Sequence, residues 1–195
     1  MLRRVAAFCF TGILILAGPA AAEMQRFTVE SGQSRAGFDA FHPFQNFSLT
    51  SESPTGEIEA DIADLKQPIR GQVVVPAASL RSADKKRDVA IHRTLDAEHQ
   101  PEIRYRIDKV ESSFSSLAEN NDVLLTIRGV LTMRGESRPV DFSGRVRLRP
   151  GGALWVRGES WIKPRDWGVV PIRIWLISVQ EAVLATFDLV LNKAQ

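Results

Sequence analysis

The fold class that this chain predicts is all-β with one short helix: an extended, closed antiparallel barrel. Two observations carry that expectation. Almost every segment after Arg26 alternates apolar and polar residues with period two, and only Ser82 to Leu95 reads as an amphipathic helix. Gly56, Ile58, Ala60 and Ile62 face one way, while Glu57, Glu59 and Asp61 face the other. Such alternation marks strands with one buried and one wet face. Short turn signals separate the segments, which favours antiparallel neighbours, since parallel strands need long crossovers.

Taken in order, strands are expected over 26–30, 34–41, 55–62, 69–76, 102–110, 122–131, 138–148, 153–162, 172–179 and 182–191. The clearest alternations are Ile69-Gly71-Val73-Val75, Ile103-Tyr105-Ile107, Val123-Leu125-Ile127, Val140-Phe142-Gly144-Val146-Leu148 and Val183-Ala185-Phe187-Leu189. Ser31-Gly32, Ser53-Pro54, Asn120-Asn121-Asp122, Arg134-Gly135 and Pro150-Gly151-Gly152 supply the turns. In the helix, Ser82 is the expected N-cap and Asp84 suits the positive end of the dipole. Ile91 and Leu95 share a face with Asp88 and His92 beside them, and Pro101 excludes helix soon afterwards. A stripe this narrow fits a helix lying over a barrel end. Sheets of eight to ten twisted strands tend to close, because open edges expose unpaired amides. A barrel of about eight strands holds either its own side chains or one small ligand. Small residues on the interior faces, among them Ala36, Gly71, Gly129, Gly144, Gly158 and Ala185, fit either a bent sheet or an open cavity.

Residues 1–22 read as a secretory signal peptide, leaving residues 23–195 as one domain. Arg3 and Arg4 form the positive region, Phe8 to Ala17 an apolar core too short to span a bilayer stably, and Ala20-Ala21-Ala22 the cleavage site. Cleavage removes two arginines from 25 basic residues, so 23 basic and 23 acidic side chains remain in the mature chain. That balance argues against nucleic acid as a partner. The single cysteine, Cys9, lies inside the leader, so no disulfide framework is expected despite export. A soluble periplasmic protein of a Gram-negative cell, with no stable membrane insertion after cleavage, is the expectation.

Two segments say more than periodicity can. One runs Ser79-Leu80-Arg81-Ser82, Arg87-Asp88, Leu95-Asp96-Ala97-Glu98 and Pro101-Glu102-Ile103. The other is Gly129-Val130-Leu131-Thr132-Met133-Arg134-Gly135, followed by Ser137-Arg138-Pro139-Val140. With Phe38 and Gly56 before them and Asp166-Trp167-Gly168-Val169 after, their order and spacing resemble the YceI-like family of exported lipid-binding proteins, over roughly residues 26–191. The resemblance implies a lipocalin-like barrel whose apolar tunnel holds a long amphiphile, such as a polyisoprenoid or fatty-acid derivative. The Phe41 to Phe47 stretch and Ser51-Glu52-Ser53 depart from the family pattern at the expected entrance.

Catalytic chemistry finds little support in the residues. Gly-x-Ser-x-Gly is absent, as are the phosphate-cradling glycine motifs. His92 and His99 lie about 10 Å apart along a continuous helix, too far for one ordinary metal site, and His42 sits among aromatic residues. No catalytic residue, metal or cofactor is therefore assigned. Interior-facing parity selects Phe38, Ile58, Val73, Tyr105, Leu125, Phe142 and Phe187 as tunnel wall. Arg87, Asp88 and His92 are placed at the mouth. There they either meet a polar head group through the arginine fork, or form a local network with Asp88 and His92 as i,i+4 partners. Trp155, Trp161, Trp167 and Trp175 flank an entrance or pack on the outer wall, and Lys85-Lys86-Arg87 reads as a solvated helix face. A second reading is an interaction module with a filled barrel, forming a homodimer through an edge near Pro171-Ile172-Arg173-Ile174-Trp175.

Overall fold

The structure, a computed structural model, describes residues 23–41, 46–170 and 181–194. The expected leader at 1–22, the strand at 172–179 with its dimerising edge, His42 and Trp175 lie outside the described residues. Among the described residues ten strands form one antiparallel sheet: β1 (Gln25–Val29), β2 (Arg35–Ala40), β3 (Phe47–Ser51), β4 (Thr55–Ala60), β5 (Arg70–Pro76), β6 (Glu102–Ser112), β7 (Asp122–Met133), β8 (Glu136–Leu148), β9 (Leu154–Ile162) and β10 (Val183–Lys193). Helix α1 (Lys85–Thr94) joins β5 to β6.

Ten strands make an eight-membered barrel because two staves are broken. β1 and β2 run end to end along β10, Phe27 opposite Lys193 and Ala36 opposite Phe187. β4 and β3 answer them on the other side, Ile58 against Phe27 and Leu49 against Phe38. From there the sheet continues β4–β5–β6–β7–β8–β9–β10, and the β1–β10 pairing closes the ring. At the first break the fully buried Ser34 replaces a ladder residue: its Oγ accepts from the Val190 amide at 2.9 Å and donates to the Val190 carbonyl at 3.4 Å. Beyond the second break, Thr50 and Arg81 exchange backbone hydrogen bonds of 2.9 and 3.0 Å, so the chain after β5 flanks β3. The β7–β8 turn is Arg134-Gly135 with φ of 53° and 76°. Positive φ at both residues is what a two-residue hairpin following the twist of its strands requires.

Two differences from expectation concern local chemistry. The helix begins at Lys85, capped by Asp84, whose carboxylate accepts from the Lys86 and Arg87 amides at 2.8 and 3.2 Å. Ser82 is not the cap: its amide and hydroxyl both donate to Asp88 Oδ1, at 2.7 and 2.6 Å. Strand β3 lies outside the expected strands, since five residues next to a proline-containing aromatic stretch carry too short an alternation to stand out. The interior divides into two apolar clusters. One, at the α1 end, includes Leu80, Leu95, Ile103, Met133 and Trp167. The other, at the opposite end, includes Phe27, Leu65, Val146, Leu154 and Leu191. Ile58, Leu125 and Phe187 touch both.

Candidate functional site

Between the two clusters lies an apolar slot of about 90 Å³. Six of the seven side chains assigned to the wall by parity line it: Phe38, Ile58, Val73, Tyr105, Phe142 and Phe187. Leu125 is not part of the lining; it packs beside the slot against both clusters. Val75, Ile103, Ile107 and Ala185 share strand faces with the chosen residues and line the slot too, so the same parity argument reaches them. Leu80 also lines it, but sits in the connection after β5, where no strand periodicity points inward.

Three rings cross the slot. Tyr105 meets Phe142 edge-on at 5.0 Å between centroids, and Phe142 meets Phe187 at 5.3 Å. The Tyr105 hydroxyl lies within hydrogen-bonding distance of two carbonyls, Ile127 at 3.0 Å and Val140 at 2.8 Å. Burial pushes its pKa far above the ordinary phenol value, with the carboxylates Asp141 and Asp108 adding to the effect, so it is a neutral donor. Glycines make room for these rings. A Cβ on Gly129 would lie 2.7 Å from the Tyr105 ring, and one on Gly158 would lie 2.7 Å from the Phe187 ring. Gly158 is paired with Gly144 on β8, so at this level the wall is backbone alone. Outside it runs a broad groove of about 610 Å³, and Ala36, Gly37, Thr186 and Phe187 line both the groove and the slot. An apolar cavity of about 150 Å³ accommodates a benzene molecule. The present slot is smaller, so a long chain enters only if rings change rotamer.

At the α1 end the three mouth residues take separate partners. The Arg87 guanidinium lies 4.5 Å from the centre of the Phe47 ring, tying helix to β3. Asp88 is buried and spends Oδ1 on Ser82. Burial works to raise its pKa, but the Ser82 hydrogen bonds and the positive charge of Arg81 outweigh this and hold it below the ordinary carboxylate value. His92 Nε2 lies 2.8 Å from the Leu80 carbonyl and 3.2 Å from Arg81 Nη1. Asp88 and His92 thus both clamp the helix to residues 80–82, rather than bonding to each other as i,i+4 partners. His99 makes an exposed pair with Asp96 at 2.7 Å. Among the described residues no group of three or more His, Cys, Asp or Glu side chains comes together.

The tryptophans separate as well. Trp167 is buried and donates to the Leu131 carbonyl at 2.9 Å. Trp155 lies on the outer wall between arginines. Trp161 is exposed and packs on Phe41 at 5.4 Å.

A closed antiparallel barrel of eight staves around an apolar slot defines the class of small β-barrels, whose interior holds either side chains or one small ligand. The YceI-like domain matches residues 27–191, and the chain belongs to that family. Solved structures share the architecture. A polyisoprenoid binding domain from Saccharophagus degradans, implicated in plant cell wall breakdown, superposes with TM-score 0.67 at 13% identity, covering 86% of this chain and 98% of that one. BcnA of Burkholderia cenocepacia gives TM-score 0.66 at 18% identity, covering 83% and 98%. A Campylobacter jejuni YCEI protein gives 0.58 at 16%, covering 73% and 82%. Identities this low speak to the fold alone. No curated protein matches the chain.

Proposed function

We propose that this protein is a non-catalytic periplasmic carrier that holds a long-chain amphiphile, a polyisoprenoid or fatty-acid derivative, non-covalently along the barrel interior. The observation that carries the reading is the lining of the slot: among the described residues Tyr105 and Thr186 bring its only side-chain hydroxyls, and the Tyr105 hydroxyl is spent on backbone carbonyls. Among the described residues no charged side chain lines it. Each sequestered CH2 contributes roughly 0.8 kcal/mol, so a ten-carbon chain gains about 8 kcal/mol before the displaced rings are charged against it. The polyisoprenoid-binding neighbour from Saccharophagus degradans supports the same ligand class.

A head group emerging at the α1 end meets Arg87, while Asp88 and His92 hold the helix beside it to residues 80–82. Arg87→Ala with intact folding and lost head-group selectivity supports that placement; simple destabilisation overturns it. The narrowness of the slot favours a second reading, a filled barrel acting through protein contacts. Native mass spectrometry of protein taken from the periplasm without detergent, followed by solvent extraction, decides between them. A reproducible adduct released as an isoprenoid or acyl compound supports the carrier. A clean apo mass, together with a concentration-dependent dimer, supports the filled barrel.

A further inference from the structure

The outer face of β8 and β9 carries a concentration of charge that the interior does not explain. Arg145, Arg147 and Arg149 alternate along β8 and the residue after it, so all three point outward. Cross-strand pairing sets Arg145 opposite Arg157 and Arg147 opposite Trp155. The Trp155 ring is surrounded by three guanidinium groups, Arg147 at 5.6 Å, Arg149 at 5.2 Å and Arg157 at 4.9 Å from its centre. Like charges placed directly opposite destabilise a sheet. Here they are tolerated through two carboxylates: Asp122 takes Arg147 at 2.7 Å and Arg145 at 3.6 Å, and Asp188 takes Arg157 at 3.0 Å and the Trp155 indole. Arg149 has no carboxylate partner among the described residues. Glu119 and Glu159 border the patch without forming an ion pair with any of its arginines.

Next to this cluster stand two large apolar side chains in open solvent. Leu124 is 65% exposed and lies opposite Arg145 in the β7–β8 pairing. Phe114 is 64% exposed and follows Ser113, whose amide donates to the Leu124 carbonyl at 3.0 Å. Arg149, the arginine of this cluster without a carboxylate partner among the described residues, stands here with an indole and bare apolar side chains. Together they combine what an anionic lipid surface rewards: charge attraction to head groups and insertion of apolar groups at the acyl boundary. A nucleic acid rewards only the first and gives Leu124 nothing to bury against.

We infer that this face, with Phe114 and Leu124, docks the protein on the surface of an anionic lipid bilayer. The docking end is opposite α1, and the inference does not depend on what the interior holds. Co-sedimentation of the mature chain with phosphatidylglycerol-containing vesicles and with pure phosphatidylcholine vesicles tests it. Partition onto the anionic vesicles is expected to be at least about tenfold tighter at low salt and to weaken as salt rises. Arg149→Gln weakens it about fivefold, and Phe114→Ser weakens it at every salt concentration. The paired change Lys85→Gln and Lys86→Gln, on the helix at the other end, leaves it unchanged. Equal partition onto both vesicle types overturns the inference. So does an Arg149→Gln variant that binds like the parent, loss of binding in the lysine variant instead, or displacement by inorganic phosphate at constant ionic strength.

Discussion

The two sides of the barrel wall are built differently. On one side β7 and β8 run unbroken for 12 and 13 residues around a two-residue turn. On the other, β1, β2, β3 and β4 are strands of only 5 or 6 residues, each stave interrupted once. The continuous side satisfies its amides chiefly with its own ladder, the Leu124 amide turning to a side chain, Ser113 Oγ at 3.1 Å. The broken side relies on side chains to carry the bonding across its gaps: Ser34 serves Val190, and Ser51 Oγ lies 2.6 Å from Ser79 Oγ while accepting from the Ser53 amide. A wall bonded in one register yields only as a whole, whereas a patched wall yields locally.

The largest expected effect tests that contrast with one insult on each side. Gly129→Ala on β7 drives a methyl into the Arg106 carbonyl and the Tyr105 ring, and is expected to cost about 3 kcal/mol in chemical denaturation. Gly37→Ala on β2 meets the Leu49 carbonyl as closely, yet is expected to cost about half as much because β2 and β3 can shift together. Equal costs would erase the distinction. Ser34→Ala comes next: it strips the buried Val190 amide of its partner and is expected to cost about 2 kcal/mol. Hydrogen exchange sharpens the comparison without mutation, since β2 and β3 amides should exchange about tenfold or more faster than those of β7 and β8.

The smallest effect concerns the attachment of α1 to the broken side, through Ser82 next to Arg81 and Thr50. The Asp88 carboxyl titrates below its ordinary value in the folded protein. Its contribution is therefore present above the ordinary carboxylate range and is lost as pH falls below about 4 through the folded value. Asp88→Asn lowers the melting temperature at neutral pH and flattens that acid-side loss. An unchanged acid slope would show that the carboxylate is not what holds the helix.

Legibility in the sequence followed the same divide for the strands, though not for the slot residues. Long alternating runs such as Val123-Leu125-Ile127 and Val140-Phe142-Gly144 placed β7 and β8, because parity is unambiguous over many repeats, yet Leu125 of β7 packs beside the slot while Phe38 and Ile58 of the short strands line it. Five-residue β3 offers too few repeats, and its pairing with β2 depends on a chain reversal that local pattern does not encode. Asp84 and Ser82 are both good caps by composition; which one caps was decided by Asp88, which needs Ser82 for its own burial. The division of the interior by Tyr105, Phe142 and Phe187 was invisible, since parity says which way a ring points and not how far it reaches.

The bare stretch of wall at Gly144 and Gly158 makes the barrel readable from outside. Ser143, on the outer groove, is separated from the Phe187 ring by one layer of peptide. Cys9 is the single cysteine, so a chain beginning at Glu23 with Ser143→Cys carries one thiol for an environment-sensitive dye. Any occupant that turns the Phe187 ring then changes the emission of a label it never touches, and the protein becomes its own occupancy sensor.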